Sequence, residues 1–325
     1  MKEEEIRPKK IFDEYLQLAQ KDTEIYFAGA QRGRIACPAC GGASDFAFEK
    51  HGFAYEQCPA CRTLFVNPRP EAAAFSRYYT ESPSSKYWAT TFYKETAEAR
   101  REKLWKPKAG MVGDILGKYG ASEHSIVDIG GGYGLFAEEM QFLSKKPVTV
   151  IEPGPSLAAI CREKSLNVVE KFLEQVGPED LPEGGKAFVS FELFEHLHDP
   201  SIFLSHLKGL MQSGDLFVFT TLSGTGLDIQ VLWEESKSVS PPHHLNFLNP
   251  HSVGILLGRL GLEMLEVSTP GKLDIDIVGN NLPHIKDRFW RTFMSLASDE
   301  TAAKWQDLIA SSGWSSHMMV VCRKN

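Results

Sequence analysis

The segment Ser125–Gly134, SIVDIGGGYG, constrains the fold of this chain more than any other. A β-branched run delivers Asp128 and then Gly130, Gly131, Gly132 and Gly134, just before a helix-like stretch, LFAEEMQFL. Glycines at a strand-to-helix turn let backbone N–H groups approach a ligand closely, where the helix N-terminus favours negative charge. The next apolar run, PVTVIEP, ends in Glu152 followed by Pro153. An acidic residue about 20 positions beyond the glycines can accept hydrogen bonds from ribose hydroxyls. These residues predict a βαβ unit with a nucleoside-bearing cofactor lying across it.

Two cofactor classes fit that outline. Gly132-x-Gly134-x-x-Ala137 satisfies the dinucleotide fingerprint G-x-G-x-x-G/A. The glycine run, however, begins two residues earlier, and Asp128 sits inside the strand end. In this form, Asp-x-Gly-x-Gly-x-Gly, the segment resembles the first motif of class I S-adenosylmethionine (SAM)-dependent methyltransferases. The resemblance implies that Gly130, Gly132 and Gly134 pass close to the methionyl part of SAM. It also implies that Asp128 orients the turn or the methionyl ammonium, and that Glu152 takes the ribose.

Four cysteines carry the second strong signal. Cys37, Cys40, Cys58 and Cys61 form two C-x-x-C knuckles with the spacing C-x₂-C-x₁₇-C-x₂-C, within the range of a four-cysteine zinc site. The intervening GGASDFAFEKHGFAYEQ has the alternating aromatics of a β-hairpin. With all four positions filled by protein, the expected Zn²⁺ is structural, one per chain. Cys161 and Cys322 lie in a helical and a strand pattern and read as packing residues.

Composition narrows the class. The net charge of −7 argues against a general nucleic-acid binder. No apolar stretch is long enough to cross a bilayer, and the charged N-terminus lacks a secretory core, so a cytoplasmic protein is expected. Hydrophobic residues at 42% suffice for a large core.

Residues 1–36 read as a helical extension, 37–70 as the zinc ribbon, 71–120 as a helical linker or cap, and 121–325 as the cofactor-binding domain. Within the last, strands are expected at 125–129, 147–152, 167–170, 187–192, 215–221 and 262–268, with a final strand in WSSHMMVVCRKN. A helical insertion at about 279–313 precedes that strand, and it either covers the substrate or mediates homodimerisation. The fold class is therefore α/β. The resemblance implies a Rossmann-like seven-stranded methyltransferase sheet, helices on both faces, with the last strand antiparallel and inserted between the fifth and sixth.

FELFEHLHDP (191–200), after the fourth strand, also resembles small-molecule methyltransferases. CRTLFVNPRP, PPHHLNFLNP and TPGKLDIDIV are similar to bacterial methyltransferases that carry an N-terminal zinc ribbon and serve polysaccharide or natural-product pathways. With this block present the nicotinamide reading recedes. If helical, Glu192, Glu195 and His196 share one face aimed into the crevice. The string E-x-x-E-H followed by a later histidine is similar to small-RNA 2′-O-methyltransferases and quinone-precursor O-methyltransferases, where such side chains hold a divalent cation. Here His243 or His244 would complete the set; the competing reading has Glu195 and His196 bonding nearby loops. His243 and His244 follow the fifth strand, where a histidine can take a proton from an acceptor. Phe172 and Leu173 either border adenine or belong to the core.

The expected activity is SAM-dependent methyl transfer to a small-molecule acceptor such as a sugar or nucleotide-sugar. The alternatives are a metal-assisted RNA 2′-O-methyltransferase and a non-catalytic adaptor that binds partners through its ribbon.

Overall fold

The computed structural model describes residues 2–325. Its first long element is α1 (Lys9–Phe27), where Phe12, Tyr15, Ala19, Thr23 and Phe27 recur at three- and four-residue steps and are all buried. The short strands β1 (Arg32–Gly33) and β5 (Arg69–Pro70) pair across the base of the ribbon. Between them lie the hairpin β2 (Asp45–Lys50) and β3 (Phe53–Gln57) and the strand β4 (Leu64–Val66). Helix begins again at α2 (Ala72–Glu81) and α3 (Pro83–Tyr87). Wide π-type turns at Trp88–Phe92 and Arg101–Trp105 flank α4 (Tyr93–Arg100), and α5 (Lys106–Lys118) completes this cap.

The central sheet is built from β6 (Ser125–Ile129), β7 (Val148–Ile151), β8 (Asn167–Val169), β9 (Lys186–Phe191) and β10 (Leu216–Leu222), all parallel. The helices α6 (Leu135–Ser144), α7 (Pro155–Glu163) and α8 (Pro200–Leu210) alternate with them. After β10 come α9 (Leu227–Leu232), β11 (Asn246–Phe247), α10 (Pro250–Arg259) and β12 (Glu263–Ser268). Helices α11 (Asp274–Asn280), α12 (Arg288–Leu296) and α13 (Asp299–Ser311) form the insertion, and β13 (His317–Arg323) closes the chain. The strand order is β12-β13-β10-β9-β6-β7-β8, with β13 antiparallel between β10 and β12, as the family resemblance implies.

Period-two alternation divides the core between the two faces of this sheet. Ile126, Val148, Val150, Val189, Val218 and Val321 pack with α5 and α6. Val127, Ile129, Phe188, Phe217, Phe219 and Val320 pack with α8 and α10 on the other face. Cys37, Ala39, Cys58, Cys61 and Phe65 join that second core. The ribbon is therefore not a free-standing appendage. Its sheet has the order β11-β4-β3-β2, so the loop after β10 supplies the edge strand, with Asn246 opposite Phe65 and Phe247 opposite Leu64. No helix among the described residues is long and apolar enough to cross a membrane.

Candidate active site

The glycine loop leaves the carboxyl end of β6 and enters α6. Gly130, Gly132 and Gly134 have φ of 71°, 56° and 72°. At Gly131 the constraint is space: a Cβ would stand 2.6 Å from Val150 Cγ1 and 2.9 Å from Asp128 Oδ2. Gly134 combines both limits, because a Cβ there would meet Leu166 and Cys161 within 2.9 Å.

Two carboxylates define the loop. Glu152, at the end of β7, accepts the Gly132 N–H at 2.9 Å through Oε2 and the Gly154 N–H at 2.8 Å through Oε1. Burial pushes its pKa up, while those two N–H groups oppose the shift. Each oxygen keeps a further lone pair, which suits a ribose diol. Asp128 is 2% exposed, and its Oδ2 has no hydrogen-bond partner. Burial, then the charge of Glu152, raises its pKa to about 7. An orphaned carboxylate oxygen beside a glycine cradle fits the ammonium of a methionyl group.

The cap closes this side. Tyr93 stacks on Tyr133 with centroids 5.6 Å apart, and its hydroxyl lies 3.5 Å from where a Gly132 Cβ would stand. Tyr93, Trp105, Asp128, Gly130, Gly131, Tyr133, Phe136 and Phe191 line one small cavity. Pro153 is half-buried beyond Glu152. Phe172 is 45% exposed, whereas Leu173 is buried in the core shared with Val176 and Leu181.

On the acceptor side, the condition on which Glu192, Glu195 and His196 would share a helical face is not met. β9 ends at Phe191, Glu192 takes a φ of 54°, and only one 3₁₀ turn forms, over Phe194–His196. Glu192 consequently takes a different set of hydrogen-bond partners. It accepts the Thr220 hydroxyl at 2.9 Å and faces His317 Nδ1 at 3.2 Å and Lys108 Nζ at 3.5 Å. Burial works against its charge, but His317, Lys108 and the Thr220 hydroxyl together hold its pKa below the ordinary range. Lys108 itself lies over the Trp105 and Phe191 rings, and burial lowers its pKa. Glu195 is fully buried and accepts the Thr221 hydroxyl at 2.9 Å. Burial and the neighbouring Glu192 push its pKa up to about 8.

The histidines divide by partner. His243 Nε2 bonds the Tyr78 hydroxyl, and its ring is enclosed by Tyr15, Tyr78 and Tyr79. His244 Nδ1 lies 2.6 Å from the Ser238 carbonyl, an obligate acceptor, so Nδ1 carries the hydrogen and Nε2 the lone pair. Burial lowers both, to about 3 and about 4. Candidate ligand atoms of Glu195, His196 and His244 all lie within 4.8 Å of one another. The ribbon anchors this loop. Tyr55 of β3 donates to the His244 carbonyl at 2.8 Å, Lys50 of β2 donates to the Ser236 carbonyl at 2.8 Å, and Arg69 donates to Asn246 Oδ1 at 2.8 Å.

In the ribbon, the Sγ atoms of Cys37, Cys40, Cys58 and Cys61 lie within 4.8 Å of one another, with Cys37–Cys61 and Cys40–Cys58 at 3.5 Å. A tetrahedron of thiolates about 2.3 Å from zinc has sulfur–sulfur edges of roughly 3.8 Å, so these residues fit a zinc ion. Cys161 and Cys322 lie outside it, each pushed up to about 12 by burial.

The sheet order and the glycine loop with Asp128 and Glu152 are those of the class I methyltransferase fold. The chain belongs to the methyltransferase-domain family: the family model so described matches residues 91–267, more than half of it. It is similar to the ubiquinone biosynthesis O-methyltransferases of Xanthomonas axonopodis pv. citri (strain 306), 27% identical over 160 residues, and Xanthomonas euvesicatoria pv. vesicatoria (strain 85-10), 27% over 154 residues. Each match covers 44% of this chain and 64% of the relative, so the chain spans just under two thirds of the length of these curated relatives. Among solved structures, the magnesium protoporphyrin IX methyltransferase of Synechocystis PCC 6803 aligns over 74% of this chain and 97% of its own, at 11% identity and a TM-score of 0.45.

Sequence reasoning passed over Lys108, Tyr93, Tyr78 and His317. None belongs to a motif, and the topology alone brings them to the crevice.

Proposed function

We propose that this chain methylates a small-molecule acceptor of the sugar or nucleotide-sugar class, using SAM and His244 as the proton acceptor. The observation that carries the cofactor assignment is the pair of carboxylates: Glu152 clamped by two loop N–H groups with lone pairs to spare, and Asp128 with an orphaned oxygen. When bound, SAM supplies a methyl group already activated on a sulfonium. The chain's own task is then positioning and exclusion of water. Tyr93 and Trp105 wall the cofactor side, and Tyr79, His196 and His244 face the acceptor. His244 is favoured over His243 because its Nε2 lone pair is left available, whereas His243 Nε2 is taken by Tyr78. Burial keeps His244 neutral before it takes a proton, and the Ser238 carbonyl, then the charge of Glu192, favour the imidazolium that results.

The clustering of Glu195, His196 and His244 supports a second reading, in which these residues hold a divalent cation that engages the acceptor hydroxyl. Calorimetry with SAM and its demethylated product, S-adenosylhomocysteine (SAH), tests the cofactor. Transfer of labelled methyl to a panel of sugars, nucleotide-sugars, quinone precursors and RNA tests the acceptor. Chelator-sensitive turnover with metal in excess of the ribbon zinc would select the second reading, and absence of SAM or SAH binding would end both.

A further inference from the structure

Helix α12 is amphipathic, yet none of its side chains is buried. Trp290 and Met294 lean on the small core of Leu232, Ile277, Val278 and Ile285, which ties the helix to α9 and α11. Phe289, Phe293 and Leu296, at i, i+4 and i+7, form a second apolar stripe beside them. Phe289 is 55% exposed and Leu296 80%. The chain turns back over 297–298, and α13 sets Thr301, Trp305 and Leu308 at the same spacing. Trp305 meets Phe289 and Phe293 with ring centroids 6.2 and 5.1 Å apart, so the two helices lie side by side. Leu308 is 56% exposed. An open groove of about 430 Å³, lined in part by Phe289, Phe293, Leu296 and Thr301, lies along α12 and the link to α13.

The charges bordering this face decide what it fits. At 100° per residue, the outer flank of the α12 stripe is Arg288 and Thr292, and that of the α13 stripe is Glu300, Lys304 and Asp307. Lys286 pairs with Glu234, and Lys304 with Glu300 at 2.7 Å. Arg288 and Asp307 make no ion pair among the described residues. Because the hairpin is antiparallel, they stand at the same end of it, one on each outer edge. A two-fold axis parallel to the helices therefore lays α12 of one copy over α13 of another, with each Arg288 opposite the other copy's Asp307. The same operation carries Leu296 over the groove beside the other copy's Thr301. One patch thus supplies knob and hole, and both signs of charge, which is what an isologous contact requires. A lipid surface fits less well. Interfacial helices carry a basic polar face, whereas residues 286–308 hold four acids and four bases.

We propose that the exposed face of the α12–α13 hairpin is a homodimer interface, through which two copies of this chain associate about a two-fold axis. It stands independently of the cofactor and acceptor assignments. Helices of nine and thirteen residues side by side offer a face of roughly 20 by 20 Å. That is about half of what one partner contributes to a standard interface, so the dimer is reversible, with dissociation in the micromolar range.

Sedimentation velocity of the full chain, from about 1 to about 200 μM, tests this. The mass should climb with concentration from 36.3 kDa toward twice that value. Leu296→Glu should weaken association at least about tenfold. Arg288→Asp and Asp307→Arg should each weaken it severalfold, and the two together should recover most of the loss. Both exchanges suit the helix dipole, with the acid entering the first turn of α12 and the base the second half of α13. Unchanged melting temperatures then certify folding. A chain that stays at 36.3 kDa throughout, or a dimer indifferent to Leu296→Glu, overturns the proposal. So does a charge-swapped double variant no better than the worse single one. Pelleting with phosphatidylglycerol vesicles that Leu296→Glu abolishes, in a chain monomeric in solution, overturns it in favour of a lipid surface.

Discussion

Glu152→Gln is the sharpest perturbation of the cofactor site, because the substitution keeps volume and changes only bonding. The carboxylate accepts one loop N–H on each oxygen, from Gly132 at 2.9 Å and from Gly154 at 2.8 Å. A glutamine has one acceptor oxygen, so one of those N–H groups must face an NH₂ group. The variant loses a charge-assisted hydrogen bond worth about 1.5–3 kcal/mol and leaves a buried donor unsatisfied at about 1–3 kcal/mol. It also halves the acceptors available to a ribose diol. Part of this loss falls on the free chain and lowers its melting temperature. The part that falls on binding, about 3 kcal/mol, corresponds to a loss of SAH affinity of roughly a hundredfold. Titration calorimetry of wild type, Glu152→Gln and Glu152→Ala with SAH measures it directly, with near-ultraviolet circular dichroism as the folding control. A well-folded Glu152→Gln that binds SAH within about threefold of wild type would refute the assignment of this carboxylate.

Four further outcomes follow from the same geometry. Asp128 holds its proton to about pH 7 in the folded chain against an ordinary value of 3.8, so the folded state binds more protons between those limits. Its contribution to apo stability is thus full below about pH 4 and lost as pH rises to about 7. SAH affinity should climb over the upper part of that window, as the carboxylate becomes able to accept from an ammonium, and Asp128→Asn should abolish the slope in calorimetry between pH 6 and 8. His244→Asn should lower kcat by about 10²–10⁴ while SAH affinity holds, whereas Tyr78→Phe should cost mainly about 1 kcal/mol of stability in thermal melts. Cys37→Ser should release about one zinc per chain by elemental analysis. Because β4 carries β11, it should also raise hydrogen exchange at 243–249. Gly134→Ala, which combines a φ of 72° with contacts under 3 Å, should destabilise the chain by about 2–5 kcal/mol in urea titrations.

The cofactor half of the crevice was legible because it is local. Asp128, the glycines and Glu152 lie within one βαβ unit, and each leaves its mark in strand period, turn chemistry or spacing. The cysteine knuckles were legible for the same reason, since ligand spacing is a local property. The sequence left open whether Glu192–His196 is helical. The chain forms only a 3₁₀ turn there, because Glu192 turns at positive φ to meet Thr220 on the neighbouring strand, a contact with no signature in the string itself.

The acceptor half is the opposite case. Tyr78 and Lys108 come from the cap, His244 from the loop after β10 and His317 from the final strand. Residues gathered from so many segments impose no common period, and a single lysine or tyrosine in a helix reads as surface or core. The ribbon shows how such a site is nonetheless held. Its β3 and β4 reach the histidine loop through Tyr55 and the pairing with β11, while Asn249 returns a hydrogen bond to the Cys61 carbonyl at 2.9 Å. A metal-organised hairpin is rigid at small size, because its ligands replace the core that so short a segment cannot build. Joining a loop to such a hairpin fixes His244 without adding a layer to the central sheet. We read the ribbon as a brace for the histidine loop, which it holds through Tyr55, Lys50 and β4; if zinc fills the four-cysteine site, its removal should loosen that loop well before it disturbs the Asp128–Glu152 cradle.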